Sequence, residues 1–386
     1  MITKPIPYGR QYITEEDIAA VVMTLHSDYL TQGPCIKEFE DAFAQYCQSK
    51  YCTLVSNGTA ALHLAALALD VKPGDKIITT PITFVASANG FRFCGADITF
   101  CDINPETYLI DLIQLEKTLA SVPQGTYKGV VPVDFAGYPI YADRLRKIAD
   151  KYGLWIVEDA CHAPGAWFID DKGEKNLCGN GKYSDITVFS FHPVKHIATG
   201  EGGALTTNNP KLYQRLNLFR THGTTKDPKL LKQNDGGWYY EMQELGYNYR
   251  ITDFQAALGI QQLKRLDWSL SRRNEIAKHY NDAFAGIEGI KTPVVAGNIF
   301  HAYHLYVIQV DDRKGLYDYL HANNVFAQVH YVLAHLISYY KQFGWKQGDL
   351  PVAENYYDHC LSLPMYPTLT EEEQDFVIEK VKAVVK

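Results

Sequence analysis

The stretch VFSFHPVKHIATGEGGALTTN, residues 188–208, places a single lysine between a β-rich run and a glycine-rich segment. Lys195 follows the strand-like ITVFSF (186–191) and precedes TGEGG (199–203). Three interpretations are open: a phosphate-binding loop, a surface turn with a solvated lysine, or a lysine that bonds covalently to a ligand. A lysine at a strand end, partly shielded from water, tends to have a lowered pKa, and this favours the neutral amine that a Schiff base requires.

The bulk properties of the chain favour a soluble enzyme with more than one domain. Its 386 residues exceed the size at which one hydrophobic core keeps growing, and its 46% hydrophobic and 21% charged residues are ordinary for a globular protein. The net charge of -7 provides no basic surface for nucleic acid or for a membrane. The most apolar run, residues 60–69, is too short to span a bilayer, and the N-terminus lacks the apolar core of a signal peptide.

The eight cysteines show no paired spacing. In a chain of this length without an export signal, they indicate buried thiols in a reducing cytoplasm, not a disulfide framework. A zinc site built from Cys161, His162, Cys178 and His192 is an alternative, but these residues lack the spacing of paired zinc ligands. The sequence therefore predicts a cytoplasmic enzyme without a bound metal.

The first two-thirds of the chain alternates β-rich runs with helical patterns, which predicts an α/β domain around a mostly parallel sheet. The last two runs are about a dozen residues apart with no helix between them, which indicates an antiparallel strand or two strands that are not neighbours. The runs lie at residues 52–56, 76–80, 97–103, 129–135, 154–159, 185–191 and 202–208.

The C-terminal part of the chain has a different pattern. A long helical stretch is followed by HAYHLYVIQV (301–310) and VFAQVHYV (325–332), which are typical of strands. The sequence therefore predicts a large domain over residues 1–261 and a smaller α+β domain over residues 262–386.

Candidate ligand-binding residues follow the strands, because open α/β sheets place their ligands beyond the carboxyl ends of the strands. In SNGTAALHLA (56–65), Gly58 can take a left-handed conformation, and Thr59 and Ala60 then open a helix. Free N–H groups, a hydroxyl and the positive helix end suit a phosphate. A strand–turn–helix with an ordinary N-cap is an equal alternative.

Asp159 ends the apolar strand in LWIVEDACHAPGA (154–166). A carboxylate there needs a cation, either a protonated pyridine nitrogen or an arginine or lysine. His162 follows three residues later and alone is more typical of a hydrogen-bonded core histidine. Lys195, Asp159 and the predicted phosphate site are the three groups that pyridoxal 5′-phosphate (PLP) needs from its protein. No P-loop or dinucleotide motif competes with this interpretation.

Six stretches, in this order, carry a resemblance to a known family: LTQGPCIKEFEDAFAQY (30–46), SNGTAALHLA (56–65), TTPITFVASAN (79–89), VEDACHAPGA (157–166), FSFHPVKHIATGEGGAL (189–205) and LGYNYRITDFQAALG (245–259). They resemble the sugar aminotransferases of the DegT/DnrJ/EryC1/StrS family. VHYVLAHLISYY (329–340) extends the resemblance across nearly the whole chain. The resemblance implies the fold of type I PLP-dependent transferases, with a mostly parallel mixed sheet in the large domain.

The resemblance implies a role for each matching residue of the cofactor site. Lys195 is expected to be the Schiff-base lysine and proton carrier, and Asp159 the partner of the pyridine nitrogen. Phe84 is expected to stack on the cofactor ring, His162 to lie near its phenolic oxygen, and the glycines of TGEGG to let the backbone pass close to the ring. The resemblance also implies phosphate contacts from Thr59, Ala60 and Ser190.

Further residues are implied for a second subunit and for the substrate. Asn248 matches a phosphate contact that reaches across from the neighbouring protomer, so a homodimer with shared active sites is expected. His330 and Tyr331 match the substrate-side loop, and Tyr8 is a further candidate for contacts to the sugar or base. For His330, a histidine at the end of a strand is an equal alternative.

The predicted activity is transfer of an amino group from glutamate to a nucleotide-linked keto-sugar. SFHPVKHIATGEGG (190–203) looks most like the branch that aminates C4 of a UDP-linked 4-keto-6-deoxy-N-acetylhexosamine on the route to pseudaminic acid. The alternatives are a dTDP- or GDP-linked sugar, a PLP-dependent sugar dehydratase, and a catalytically silent regulatory relative. Some relatives with dehydratase activity carry histidine in place of the lysine, so Lys195 favours transamination.

Overall fold

A computed structural model of the chain describes residues 4–385 and contains one large β-sheet and four small ones. The strands of the described residues are β1 (Ile6–Pro7), β2 (Tyr51–Val55), β3 (Lys76–Thr79), β4 (Asp97–Phe100), β5 (Tyr127–Val131), β6 (Trp155–Asp159), β7 (Trp167–Ile169), β8 (Lys175–Leu177), β9 (Ile186–Ser190), β10 (Gly203–Thr207), β11 (Thr224–Thr225), β12 (Glu241–Met242), β13 (Ile299–Phe300), β14 (Tyr306–Gln309), β15 (Val325–Phe326) and β16 (Cys360–Leu363).

The large sheet contains all seven strands that the sequence predicts for the first two-thirds of the chain. Its order is β2-β10-β9-β6-β5-β3-β4. The pairs β6–β9, β5–β6, β3–β5 and β3–β4 are parallel, whereas β10 is antiparallel to both of its neighbours. The predicted antiparallel strand is thus confirmed as β10. The chain turns back between β9 and β10 through residues 191–202, the segment that carries Lys195.

Helices cover both faces of the sheet and the C-terminal part. The helices of the described residues are α1 (Glu15–Leu25), α2 (Pro34–Cys47), α3 (Gly58–Ala68), α4 (Ala86–Arg92), α5 (Leu112–Ala120), α6 (Ala142–Tyr152), α7 (Pro210–Arg220), α8 (Asp253–Lys264), α9 (Leu266–Phe284), α10 (Arg313–Ala322), α11 (Ser338–Lys341), α12 (Pro351–His359) and α13 (Glu371–Val384). Among residues 4–385, none of these helices combines the length and apolar character that a membrane crossing requires.

The C-terminal part forms fewer strand residues than its sequence predicts. Only residues 306–309 of HAYHLYVIQV are a strand, and VFAQVHYV contributes just β15, which pairs with β1 near the N-terminus. The aromatic and β-branched residues that suggested longer strands are instead buried in two separate cores, one beside α9 and α13 and one against the large sheet. The division into two domains at residue 262 stays a prediction.

The sheet order brings the predicted site residues to one edge. Strands β2, β6 and β9 run in the same direction, so their carboxyl ends meet at the same edge of the sheet. The α3 N-terminus follows β2, Asp159 ends β6, and Ser190 ends β9.

Candidate active site

A cavity of about 730 Å³ opens at this edge of the sheet, a volume within the usual range for small-molecule sites. Ten of the eleven residues predicted for the site line it, and Asn248 is the exception. Those ten are Tyr8, Thr59, Ala60, Phe84, Asp159, His162, Ser190, Lys195, His330 and Tyr331.

Lys195 extends its amine into the interior side of the cavity. The backbone N–H of Lys195 donates to the carbonyl of His192 (2.8 Å), and Nζ lies 3.3 Å from Nε2 of His304. Burial lowers the pKa of the Lys195 amine to about 8, against the opposing influence of Cys161 and Asp159. About a tenth of the amine is therefore neutral at pH 7, against less than about 0.1% for a solvated lysine, and this neutral form is the nucleophile.

Asp159 is a buried carboxylate without a cationic partner. It is 5% exposed, and it accepts hydrogen bonds from Oγ of Ser87 (2.5 Å) and from the backbone N–H of Cys161 (3.2 Å). Within residues 4–385 it forms no ion pair with an arginine or lysine, although the Lys195 amine is near enough for the two charges to interact. A buried carboxylate that faces a cavity in this way suits a ligand that brings its own positive N–H group.

The N-terminus of α3, where the sequence predicts a phosphate site, lines the cavity. Oδ1 of Asn57 accepts from the backbone N–H of Ala60 (2.8 Å), whereas the N–H groups of Gly58 and Thr59 have no hydrogen-bond partner within residues 4–385. These groups, the hydroxyl of Thr59 and the helix dipole are available to an anion. Ser190 lines the cavity beside them.

At two positions, Gly58 and Gly203, the structure explains the glycine by close packing against neighbouring residues. Gly58 is the first residue of α3 and does not have a positive φ; a Cβ there would lie 3.1 Å from the Cβ of Ser190, closer than most Cβ contacts, so the tight packing against β9 favours glycine. Gly202 and Gly203 do not line the cavity. A Cβ on Gly203 would come within 2.8 Å of the backbone of Asn57, so this glycine allows β10 to pack against the start of α3, whereas Glu201, between Gly200 and Gly202, does line the cavity.

His162 has both ring nitrogens engaged. Nδ1 accepts from the backbone N–H of Ala136 (3.2 Å), so Nε2 carries the proton and donates to the hydroxyl oxygen of Tyr331 (3.1 Å). Burial lowers the pKa of His162 well below its usual value, so the ring is neutral. Phe84 is 60% exposed at the mouth of the cavity, with its ring centroid 6.4 Å from that of Tyr331.

His330 and Tyr8 form the opposite wall. Nδ1 of His330 pairs with Oγ of Ser362 on β16 (2.8 Å), and the rings of His330 and Tyr8 are 5.0 Å apart. Burial lowers the pKa of His330 to about 3. His330 therefore lines the cavity and is held by the C-terminal strand β16, but it lies four residues beyond the end of β15 and is not at a strand end. Its contact with the substrate stays a prediction.

Asn248 lies outside the cavity of its own chain. Its side chain is exposed, and its backbone forms an isolated antiparallel bridge with Thr221. This placement is compatible with a contact to a second protomer, which stays a prediction.

The residues of the alternative zinc site do not assemble. Within residues 4–385, Cys178 lies instead with Asp134 and Glu158, the one group of three possible metal ligands there whose ligand atoms are within 4.8 Å of each other. Burial raises the pKa of Asp134 well above its usual value and also raises that of Glu158. A proton held between the two carboxyl groups can therefore neutralise their charge in place of a metal ion. All eight cysteines are free thiols, five of them buried and three partly exposed.

Three residues of the site carried too little signal to be found in the sequence. Ser87 holds Asp159 but looks like an ordinary helix residue in TFVASAN. Asn57, the N-cap of α3, is not distinguished by sequence from an N-cap without a ligand. His304 belongs to a run that suggested a strand, yet it precedes β14 and points at Lys195.

Comparison with known proteins shows to which protein family the chain belongs. A model of the DegT/DnrJ/EryC1/StrS aminotransferase family matches residues 11–382. The chain belongs to this family. The same family was expected from the six stretches of sequence, so the prediction is confirmed.

Two relatives named by function cover nearly the whole chain. The spore coat polysaccharide biosynthesis protein SpsC of Bacillus subtilis is 40% identical over 389 residues, 99% of this chain and 97% of SpsC. The UDP-4-amino-4,6-dideoxy-N-acetyl-beta-L-altrosamine transaminase of Campylobacter jejuni is 36% identical over 393 residues, 98% of each chain.

Solved structures of the family share the fold. Spr1654 of Streptococcus pneumoniae, assigned as a sugar aminotransferase and solved in its PLP form, is 30% identical with a TM-score of 0.89, covering 99% of this chain and 98% of its own. Helicobacter pylori PseC, an aminotransferase involved in the biosynthesis of pseudoaminic acid, is 30% identical with a TM-score of 0.88 and 99% coverage of both chains. The chain is therefore a PLP-dependent aminotransferase of fold type I, and the catalytically silent alternative is set aside.

Proposed function

We propose that this enzyme transfers an amino group from glutamate to C4 of a UDP-linked 4-keto-6-deoxy-N-acetylhexosamine, in the synthesis of pseudaminic acid or a similar bacterial surface sugar. The C. jejuni relative is named as a transaminase of such a UDP-sugar, and PseC acts in a pathway of this kind. A dTDP- or GDP-linked keto-sugar is the alternative substrate. The free thiols are consistent with work in a reducing cytoplasm.

The observation that carries the cofactor site is the unpaired carboxylate of Asp159. It faces the same cavity as the Lys195 amine and the free N–H groups of α3. A cationic ring nitrogen, an aldehyde and a phosphate are the complementary groups, and PLP carries all three. The residues present therefore fit PLP.

Each residue has a distinct task in the proposed reaction. When bound, PLP supplies a carbonyl that carries the amino group and a ring that draws electrons from the carbon that loses a proton. Asp159 keeps the ring nitrogen protonated, and Ser87 and the Cys161 N–H hold that carboxylate in place. Nζ of Lys195 takes the proton from the substrate carbon and returns it to the product.

The walls of the cavity suit a polar sugar. Thr59, Ala60 and Ser190 would hold the cofactor phosphate, Phe84 would cover the ring, and His162 would fix the Tyr331 hydroxyl through its 3.1 Å hydrogen bond. Beyond the ring, the substrate side offers hydroxyl, imidazole and aromatic groups, which are the donors and stacking surfaces that sugars and bases use. These groups belong to Tyr8, His330 and Tyr331.

The substrate proposal predicts a clear preference in a direct comparison. With glutamate present, kcat/KM for the UDP-linked 4-keto sugar should exceed those for the dTDP- and GDP-linked analogues by at least about tenfold, because a base contact distinguishes analogues by this order. Mass spectrometry and NMR of the product should show the new amine at C4. The glutamate half-reaction, measured without sugar, serves as the control because it does not involve the nucleotide. Preference for another nucleotide, or amination at C3, would disprove this substrate and leave the aminotransferase assignment intact.

We also propose that the enzyme is a homodimer with shared active sites. Four large apolar side chains near Asn248 are exposed, with Trp238 at 76%, which is typical of a surface that a partner covers. The others are Tyr240, Met242 and Leu245. In the dimer, Asn248 would contact the phosphate in the neighbouring site.

This arrangement predicts complementation between two inactive variants. Lys195→Ala and Asn248→Ala homodimers should each be impaired, whereas mixed dimers should regain one intact site, because both changes then fall in the same site of the pair. Activity of mixtures, measured after exchange of differently tagged subunits, should approach about a quarter of the wild-type value if exchange is random and each heterodimer regains one of two sites. Absence of recovery in verified heterodimers would rule out the shared site.

A further inference from the structure

His304 is a buried histidine with a single polar partner, the amine of Lys195. It is 3% exposed and lines the cavity, with Nε2 3.3 Å from Nζ of Lys195. Its Nδ1 is buried and has no hydrogen-bond partner within residues 4–385. A neutral imidazole with one engaged nitrogen is unusual in a protein interior, where polar groups are normally paired.

The backbone around His304 fixes the position of its ring. The N–H groups of Ala302 and Leu305 donate to the carbonyls of Gly137 (2.9 Å) and Ala136 (3.2 Å). Gly137 has a φ of 102°, and a Cβ there would come within 2.8 Å of the backbone nitrogen of Tyr303, so close packing requires this glycine. The imidazole also packs against His162, with ring centroids 4.3 Å apart. The ring therefore presents Nε2 to Lys195 from a rigid support.

The charge state of His304 favours contact with the lysine. Burial and the nearby Lys195 lower the pKa of His304 well below its usual value, so the imidazole stays neutral. A neutral Nε2 can accept an N–H from the lysine in either of its charge states. In the other tautomer it can donate to the lone pair of the neutral amine.

We propose that His304 is a positioning residue that holds the free amine of Lys195 at the place from which it bonds to the aldehyde of PLP. The inference rests on Lys195 being the cofactor lysine, as proposed above. It assigns to His304 no direct contact with substrate. The contact is needed whenever the amine is free, before the cofactor is captured and each time the lysine is released during turnover.

Capture of PLP by the apo-protein tests this role without any sugar substrate. In that step Nζ of Lys195 bonds to the aldehyde carbon, and the carbonyl oxygen leaves as water with the two amine protons. Pyridoxamine phosphate binds the same cavity but has no aldehyde, so it cannot bond to the lysine. The two molecules thus separate the positioning of the amine from the integrity of the cavity.

A matched pair of amides provides the variants. In His304→Gln the amide reaches the position of Nε2, whereas in His304→Asn it ends one methylene short of Lys195. Capture of PLP by His304→Asn, followed by absorbance, should slow by about tenfold, the effect of losing one hydrogen bond. His304→Gln should retain a rate within about threefold of wild type. Both variants should bind pyridoxamine phosphate with affinity close to wild type.

The inference is overturned if His304→Asn captures PLP at the wild-type rate, or if its affinity for pyridoxamine phosphate falls in parallel with the capture rate, which would show a merely structural role. The Lys195→Ala variant shows whether a negative result concerns His304 alone or the assignment of Lys195 as the cofactor lysine. If Lys195→Ala still forms a covalent link to PLP, the lysine assignment is wrong irrespective of His304.

Discussion

Lys195→Ala is expected to reduce turnover by at least about 10⁴-fold, because the change removes both the covalent attachment of the cofactor and the group that moves the proton. Formation of 2-oxoglutarate from glutamate with a keto-sugar acceptor measures the loss. Since the cavity keeps Asp159 and the α3 N-terminus, the variant should still bind pyridoxamine phosphate. Lys211→Ala, an exposed lysine at the start of α7, is the matched control and should retain full activity.

The pH dependence of PLP capture provides a second test of Lys195, because it reports the pKa of its amine. Burial lowers the pKa of Lys195 to about 8, and only the neutral amine attacks the aldehyde. The capture rate should therefore rise with pH up to about 8 and level off above it. A rate that still rises beyond pH 10 would indicate a solvated lysine with an ordinary pKa and would contradict the buried site.

Asp159→Asn is expected to reduce kcat by about 10²- to 10⁴-fold while the cofactor still binds. The amide keeps the size of the carboxylate and can still accept from Ser87 or the Cys161 N–H, but it carries no charge to keep the ring nitrogen protonated. Steady-state kinetics should show the loss in kcat, and absorbance should show bound cofactor.

Glu158→Gln is the control for Asp159→Asn. Glu158 precedes Asp159 on β6, is equally buried, and accepts from Ser184 and Thr187 on the side of the sheet away from the cavity. Its replacement should leave kcat of the folded enzyme near the wild-type value. Near-normal kcat in Asp159→Asn would exclude the proposed role of this carboxylate.

The fold was largely predictable because the sheet is buried on both faces. Its strands therefore appear as short apolar runs separated by helices, and even the antiparallel strand β10 could be inferred from the short connection that carries Lys195. The C-terminal strands were less predictable. Strand pairs such as β1–β15 are only two residues long and depend on contacts between distant parts of the chain.

The site was predictable where chemistry depends on one residue at a strand end. Lys195 and Asp159 were found in this way, and the cavity brings them together. His304 and Ser87 were missed because their role depends on a partner more than seventy residues away, which neither spacing nor composition reveals. The packing of Gly203 was missed for the same reason, since the backbone that it approaches, at Asn57, is distant in sequence.

Borohydride reduction can identify the lysine that carries the cofactor, which we propose is Lys195. Holoenzyme is reduced to fix the link between PLP and its lysine, then digested, and the modified peptide is sequenced by mass spectrometry. We expect a single pyridoxyl group on Lys195, and none in this peptide from Lys195→Ala. A pyridoxyl group on another lysine, or no modified peptide from a holoenzyme with bound PLP, would contradict it.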